Sequence, residues 1–144
     1  MRSVLRMRHY CDFCKKAGGS SYHMQRHEKS CTLNPGRVCR LSERLSGGNP
    51  AEMAEMLALL PDPALYQTNE GMAVGETRLD DAAITPVVEA AMPALRELVE
   101  DCPICILAAL RQKKIPVPIV DSFDFKKELA NVWDGIRQEE REYY

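Results

Sequence analysis

Apolar residues recur at three- and four-residue intervals through the second half of the chain, a period that predicts helices. From about Asp80 to Glu100, Val87, Ala91, Ala94, Leu95 and Leu98 fall on one helical face, and Pro93 is expected to kink or break the segment. Ile104–Lys113 reads as another helix, closed by Ile115-Pro116-Val117-Pro118. A last helix from about Ser122 carries Phe125, Leu129, Val132, Trp133 and Ile136 as its apolar stripe. Ahead of these, Asn49 and Pro50 can open a short helix over Ala51–Leu60, which Pro61 stops. Residues 61–79 have no period and read as a long loop.

The first third is patterned differently. Residues 1–9 read as a basic arm or short strand. A cysteine pair and a Gly18-Gly19-Ser20-Ser21 turn lead into a helix from about Ser21 to Lys29, which Ser20 or Ser21 can cap. Asn34-Pro35-Gly36 is a turn signal, and 37–46 reads as a basic connector. The expected fold is therefore mainly α, with a basic region over 1–46 and an acidic helical domain over 47–144. That division suits 144 residues.

Charge sharpens the division. Residues 1–44 hold ten Lys/Arg and three Asp/Glu, a balance of +7, whereas the remainder holds nine bases and eighteen acids, a balance of −9. Such asymmetry suggests a basic arm facing nucleic acid on an acidic body, or two halves that attract each other. No apolar run approaches the ~18 residues of a membrane span. MRSVLRMRHY has neither the apolar core nor the cleavage site of a secretory signal, so a cytoplasmic protein is expected.

The chemistry lies in the cysteines and histidines. Cys11, Cys14, His27 and Cys31 form C-x2-C-x12-H-x3-C. A C-x2-C pair on a tight turn presents both sulfurs to one side, and His27 and Cys31, four apart on a helix, share a face. Four such donors can close a tetrahedron around Zn2+. Cys11, Cys14, His23 and His27 also read as C-x2-C-x8-H-x3-H, but that leaves Cys31 idle, and His27 with Cys31 is the favoured pair. His9 reads as a surface residue.

The segment SSYHMQRHEKSC, Ser20 to Cys31, resembles the helix of a Cys2His2-type zinc finger in its Cys2HisCys variant, with Met24 where that family places a core Leu. The resemblance implies a ββα-like finger over about residues 10–31. Gly18 departs from it, standing where the family has a core Phe, and Tyr10, Phe13 or Tyr22 is expected to fill the gap. The family reads bases from just before the helix and from its third and sixth positions, here Ser20, His23 and Arg26. Lys15, Lys16 and Lys29, with Arg2, Arg6 and Arg8, would then meet phosphate.

Cys39, Cys102 and Cys105 remain. They read either as a second zinc site tying the basic region to the helical body, or as small buried hydrophobes. A redox C-P-x-C pair would need a strand–helix–strand pattern that is absent here. The segment CTLNPGRVCRLS also resembles small phage-type and environmental bacterial zinc-finger proteins, in which a second C-x2-C follows the finger. Ser42 stands here where that pattern has Cys.

No HExxH, phosphate-binding loop or G-x-S-x-G is present, and three histidines leave little for acid–base chemistry, so no enzyme is expected. The leading expectation is a zinc-binding accessory protein that contacts DNA or RNA through its basic finger. The competing one is an adaptor or inhibitor of a protein partner, with zinc purely structural.

Overall fold

The computed structural model describes all 144 residues and is mainly α-helical. Its centre is helix α5 (Pro103–Gln112), seven of whose ten residues are buried. The sequence PICILAALRQ is apolar on nearly every side, as a helix surrounded by others must be. Helices α2 (Arg40–Leu45), α3 (Met53–Leu59), α4 (Asp81–Val99) and α6 (Phe125–Glu142) all pack against it. Ile106, Leu110, Val88, Leu95, Met56 and Ile136 are among the side chains of one continuous core.

Helix α4 corrects two expectations. It runs unbroken through both Pro86 and Pro93. An interior proline costs roughly 3 kcal/mol through its missing N–H and its ring. Pro93 is exposed, and the turns on either side of it are anchored by the buried Met92 and Leu95. Burying such side chains contributes roughly 1.5–3 kcal/mol each, enough to hold the helix together. The buried stripe is Ile84, Val88, Met92, Leu95 and Val99, so the expected face is rotated. Leu95 belongs to both sets, but Val87 and Ala94 are exposed. Both stripes have helical spacing, and the chain buries the one with the larger side chains.

The α4–α5 junction is sharp. Glu100 and Asp101 both adopt the left-handed conformation, at φ 52° and 57°, and the Asp101 N–H closes the helix on the Arg96 carbonyl at 2.9 Å. These two residues thus separate α4 from Cys102, which becomes the N-cap of α5 with Pro103 in its first turn. On α6, Ile136 is buried, while Trp133, expected in the stripe, is 43% exposed. The long loop is partly ordered: a 3-10 turn at Pro63–Leu65 precedes β3 (Gln67–Thr68), which pairs antiparallel with β4 (Arg78–Leu79).

At the N-terminal end, β1 (His9–Tyr10) pairs antiparallel with β2 (Ala17–Gly18), and α1 (Ser21–Ser30) follows. Ser20 caps α1, its Oγ accepting the His23 N–H at 3.3 Å. This module has its own small core of Cys11, Met24 and Cys31, with Cys14 and Leu33 against it. Tyr10, Phe13 and Tyr22 do not fill the place left by Gly18; all three are exposed. Met24 does, its Cε lying 3.4 Å from where a Gly18 Cβ would stand.

The connector is also more ordered than expected. Residues 40–45 form α2, and its Leu41 joins the main core. The tail of α1 rests on the end of α5: Gln112 Nε2 donates to the Thr32 and Asn34 carbonyls at 2.9 and 3.0 Å, and Arg111 Nη1 to Thr32 Oγ1 at 3.1 Å. No helix is long and apolar enough to cross a membrane.

Candidate metal centres

Two groups of side chains converge in a way that could hold metal ions. In the first, the ligand atoms of Cys11, Cys14, His27 and Cys31 all lie within 4.8 Å of one another. The knuckle forms because Lys15 takes the left-handed conformation, φ 62°, folding the chain back so that the Cys11 N–H donates to the Lys16 carbonyl at 2.8 Å. The Phe13 and Cys14 N–H groups then point at Cys11 Sγ, at 3.4 and 3.5 Å. Glu28 ties this knuckle to α1, its Oε1 accepting the Asp12 N–H at 3.1 Å.

Cys14 Sγ is 3.1 Å from His27 Nε2. Sulfur and nitrogen on a tetrahedral zinc stand about 3.6 Å apart, so zinc fits after a shift of about half an ångström. Burial pushes the Cys11 thiol up, but the N–H groups of Cys14 and Phe13 outweigh it and lower the pKa. Those donors are ready for a thiolate. Burial raises the pKa of Cys31.

The second group is Cys39, Cys102 and Cys105, whose sulfurs also lie within 4.8 Å of one another. Cys39 caps α2 and Cys102 caps α5, so two helix starts meet here. The Cys39 and Cys102 sulfurs are 3.8 Å apart, the same as the ~3.8 Å between two thiolates on a tetrahedral zinc. Hydrogen bonds from Cys102 and Cys105 hold the Cys39 thiol far below its ordinary range, and hydrogen bonds with Cys105 and then Cys39 raise that of Cys102. All six cysteines are free thiols. Arg37 Nη1 lies 3.8 Å from Cys105 Sγ, a neighbour that sequence spacing could not reveal.

Ser42 occupies the knuckle position beside Cys39. It is 1% exposed, and its N–H donates to Cys39 Sγ at 3.4 Å. A cavity of about 420 Å³ adjoins the group and is lined by Arg37, Cys39, Ser42, Met53, Met56 and Cys105, among others.

No protein-family model, curated protein or solved structure matches this chain. The donor sets therefore stand on their own chemistry. Thiolate and imidazole donors at these separations could bind zinc.

The remaining sequence-predicted residues lie outside both groups. His23 is exposed, edge-on to Tyr22 at 5.6 Å, and its side chain joins no metal group. Arg26 lies over the Tyr22 ring at 5.8 Å. Lys15, Lys16 and Lys29 are exposed, and Ser20 serves as the cap. Tyr22, Arg26 and Lys29 form one stripe at helical spacing, on the side of α1 opposite Met24, His27 and Cys31. Of the ten bases in residues 1–44, only Arg44 makes an ion pair, to Glu140 at 3.4 Å. The basic region is not neutralised by the acidic body.

Proposed function

We propose that this chain is a zinc-binding accessory protein that contacts nucleic acid through its N-terminal module, a ββα-like finger of the Cys2HisCys kind. Zinc at Cys11, Cys14, His27 and Cys31 would fix that module, and a second zinc at Cys39, Cys102 and Cys105 would pin it to the helical body. Each metal would supply structural cross-linking, the role of closed thiolate and imidazole sites. No catalytic chemistry is assigned. The cytoplasm, where thiols stay reduced, suits six free cysteines.

The observation that carries the nucleic-acid reading is the unpaired basic surface. Arg26 and Lys29 project from α1 on the side away from the first cluster, and the exposed Tyr22 continues the stripe one turn before Arg26. Lys15 and Lys16 extend it from the knuckle, and Arg2, Arg6 and Arg8 from the arm. Cations without internal partners bind phosphate at no cost in broken ion pairs, and an adjacent aromatic ring can stack on a base. Fluorescence anisotropy of the zinc-loaded protein against duplex DNA, single-stranded DNA and RNA at several salt concentrations tests it. Binding should weaken by roughly one log unit per log unit of salt for each phosphate contact. Binding that is absent at low salt, or indifferent to salt, contradicts it.

A second reading, a protein-binding adaptor, draws on Trp133, which is 43% exposed on α6. Arg26→Ala separates the two: it weakens nucleic-acid binding under the first and leaves partner capture intact under the second.

A further inference from the structure

The second cluster has three sulfurs where a closed zinc site needs four donors. The fourth corner falls where Ser42 stands, because the Ser42 N–H meets Cys39 Sγ at 3.4 Å much as the Cys14 N–H meets Cys11 Sγ at 3.5 Å. A serine hydroxyl is a hard, neutral oxygen and a poor partner for a metal held by three thiolates. Glu43 and Glu52 line the adjoining cavity, but both are exposed and neither carboxylate joins the group. No side chain of this protein therefore closes the site with a donor matching the other three.

We propose that the fourth position is an exchangeable site for a small thiol, which enters from the 420 Å³ cavity and binds the metal as a thiolate. This rests on the reading of Cys39, Cys102 and Cys105 as a zinc site. Three observations select a thiol. The ligand set is soft and favours sulfur. The cavity offers Val38, Ala51, Met53 and Met56 to an organic body, and its volume is that of a small-molecule pocket. Arg37 also lines it, with Nη1 3.8 Å from Cys105 Sγ and a buried Nε that has no hydrogen-bond partner. Four thiolates on a divalent ion carry a net charge of about −2, and the Arg37 guanidinium offsets part of it.

The exchange is not a redox step. The thiol S–H bond breaks, the sulfur lone pair bonds the metal, a solvent molecule leaves, and the proton passes to buffer. Ser42 and Arg37 stay as they are.

The test uses the full chain loaded with cobalt(II), whose thiolate charge-transfer absorption counts bound sulfur, and 2-mercaptoethanol as the probe. Two cobalt ions per chain should bind. Added 2-mercaptoethanol should then raise that absorption by about a sixth, as six bound cysteine thiolates become seven, while ethylene glycol changes nothing. Ser42→Cys should start at the higher absorption and not respond. Cobalt content measured again after the titration shows whether the thiol has stripped metal. One cobalt per chain that is retained in Cys102→Ser would mean the second cluster holds no metal, and the zinc reading of that cluster fails. Two retained cobalt ions and an unchanged spectrum overturn the thiol site alone.

Discussion

The Ser42 N–H donates to Cys39 Sγ at 3.4 Å, the same contact that Cys14 makes to Cys11 at 3.5 Å in the first cluster. The chain thus makes this contact twice, at a turn in the first cluster and at the start of α2 in the second, and furnishes only one with its second sulfur. In the first, the fold supplies His27 and Cys31 from one helix of the same module; in the second, it supplies Cys102 and Cys105 from the central helix of the body.

That difference predicts distinct effects for removing a ligand from each cluster. Cys11→Ser should release one zinc and unfold residues 9–31 while the body keeps its melting transition, because the small core of Cys11, Met24 and Cys31 is separate from the main one. Cys102→Ser should release the other zinc and lower the melting temperature of the whole chain. Cys39, Cys102 and Cys105 all pack in or against the main core, and breaking such a site costs about 3 kcal/mol or more. Circular dichroism of both variants checks this.

Met24 fills the space over Gly18, so Met24→Ala should empty the middle of the N-terminal module. We expect a loss of about 2 kcal/mol in that module and a faster release of one zinc of the two to a chelator. Phe13→Ala, at an exposed position, should change neither. Equal release rates in the two variants would contradict this packing.

Lys114 follows α5 in the left-handed conformation, φ 60°, and the Ile115 N–H closes the helix on the Leu110 carbonyl at 2.9 Å. Only glycine takes that conformation without strain. Lys114→Gly should raise stability by about 1 kcal/mol in urea melts.

Glu89 on α4 accepts the Ser122 N–H at 3.2 Å ahead of α6. Hydrogen bonds from the Ser122 side chain and backbone lower its pKa below the ordinary value of 4.5. The unfolded carboxyl therefore binds its proton first as pH falls. The contact contributes its full stability above pH 4.5 and loses it as pH drops through the lower folded value. Glu89→Gln should be less stable at pH 7 and should show a shallower loss as pH falls below 4.5. Parallel pH profiles for the two proteins would contradict this.

Much of the first metal group was legible because its information is short-range in the chain. The Cys11–Cys14 pair, the His27–Cys31 pair and the Ser20 cap are each confined to one turn, and the structure brings the two pairs together. The α4 face was not legible, since its apolar residues surround the helix and only tertiary packing chooses Ile84, Val88 and Met92 over Val87 and Ala94. Helix α2 was hidden because its strongest signal, the burial of Leu41, comes from the body. Cys39, Cys102 and Cys105 were legible as a possible second metal group, and the structure brings them together, but the place of Arg37 beside Cys105 joins residues 68 apart and no spacing encodes it.

The most direct test of the central claim, two zinc ions in two clusters, is the metal content of the purified reduced protein by mass spectrometry. Two zinc ions per chain are expected, falling to one in Cys11→Ser and to one in Cys102→Ser. One or none in the unsubstituted chain, or two retained in either variant, would contradict the account.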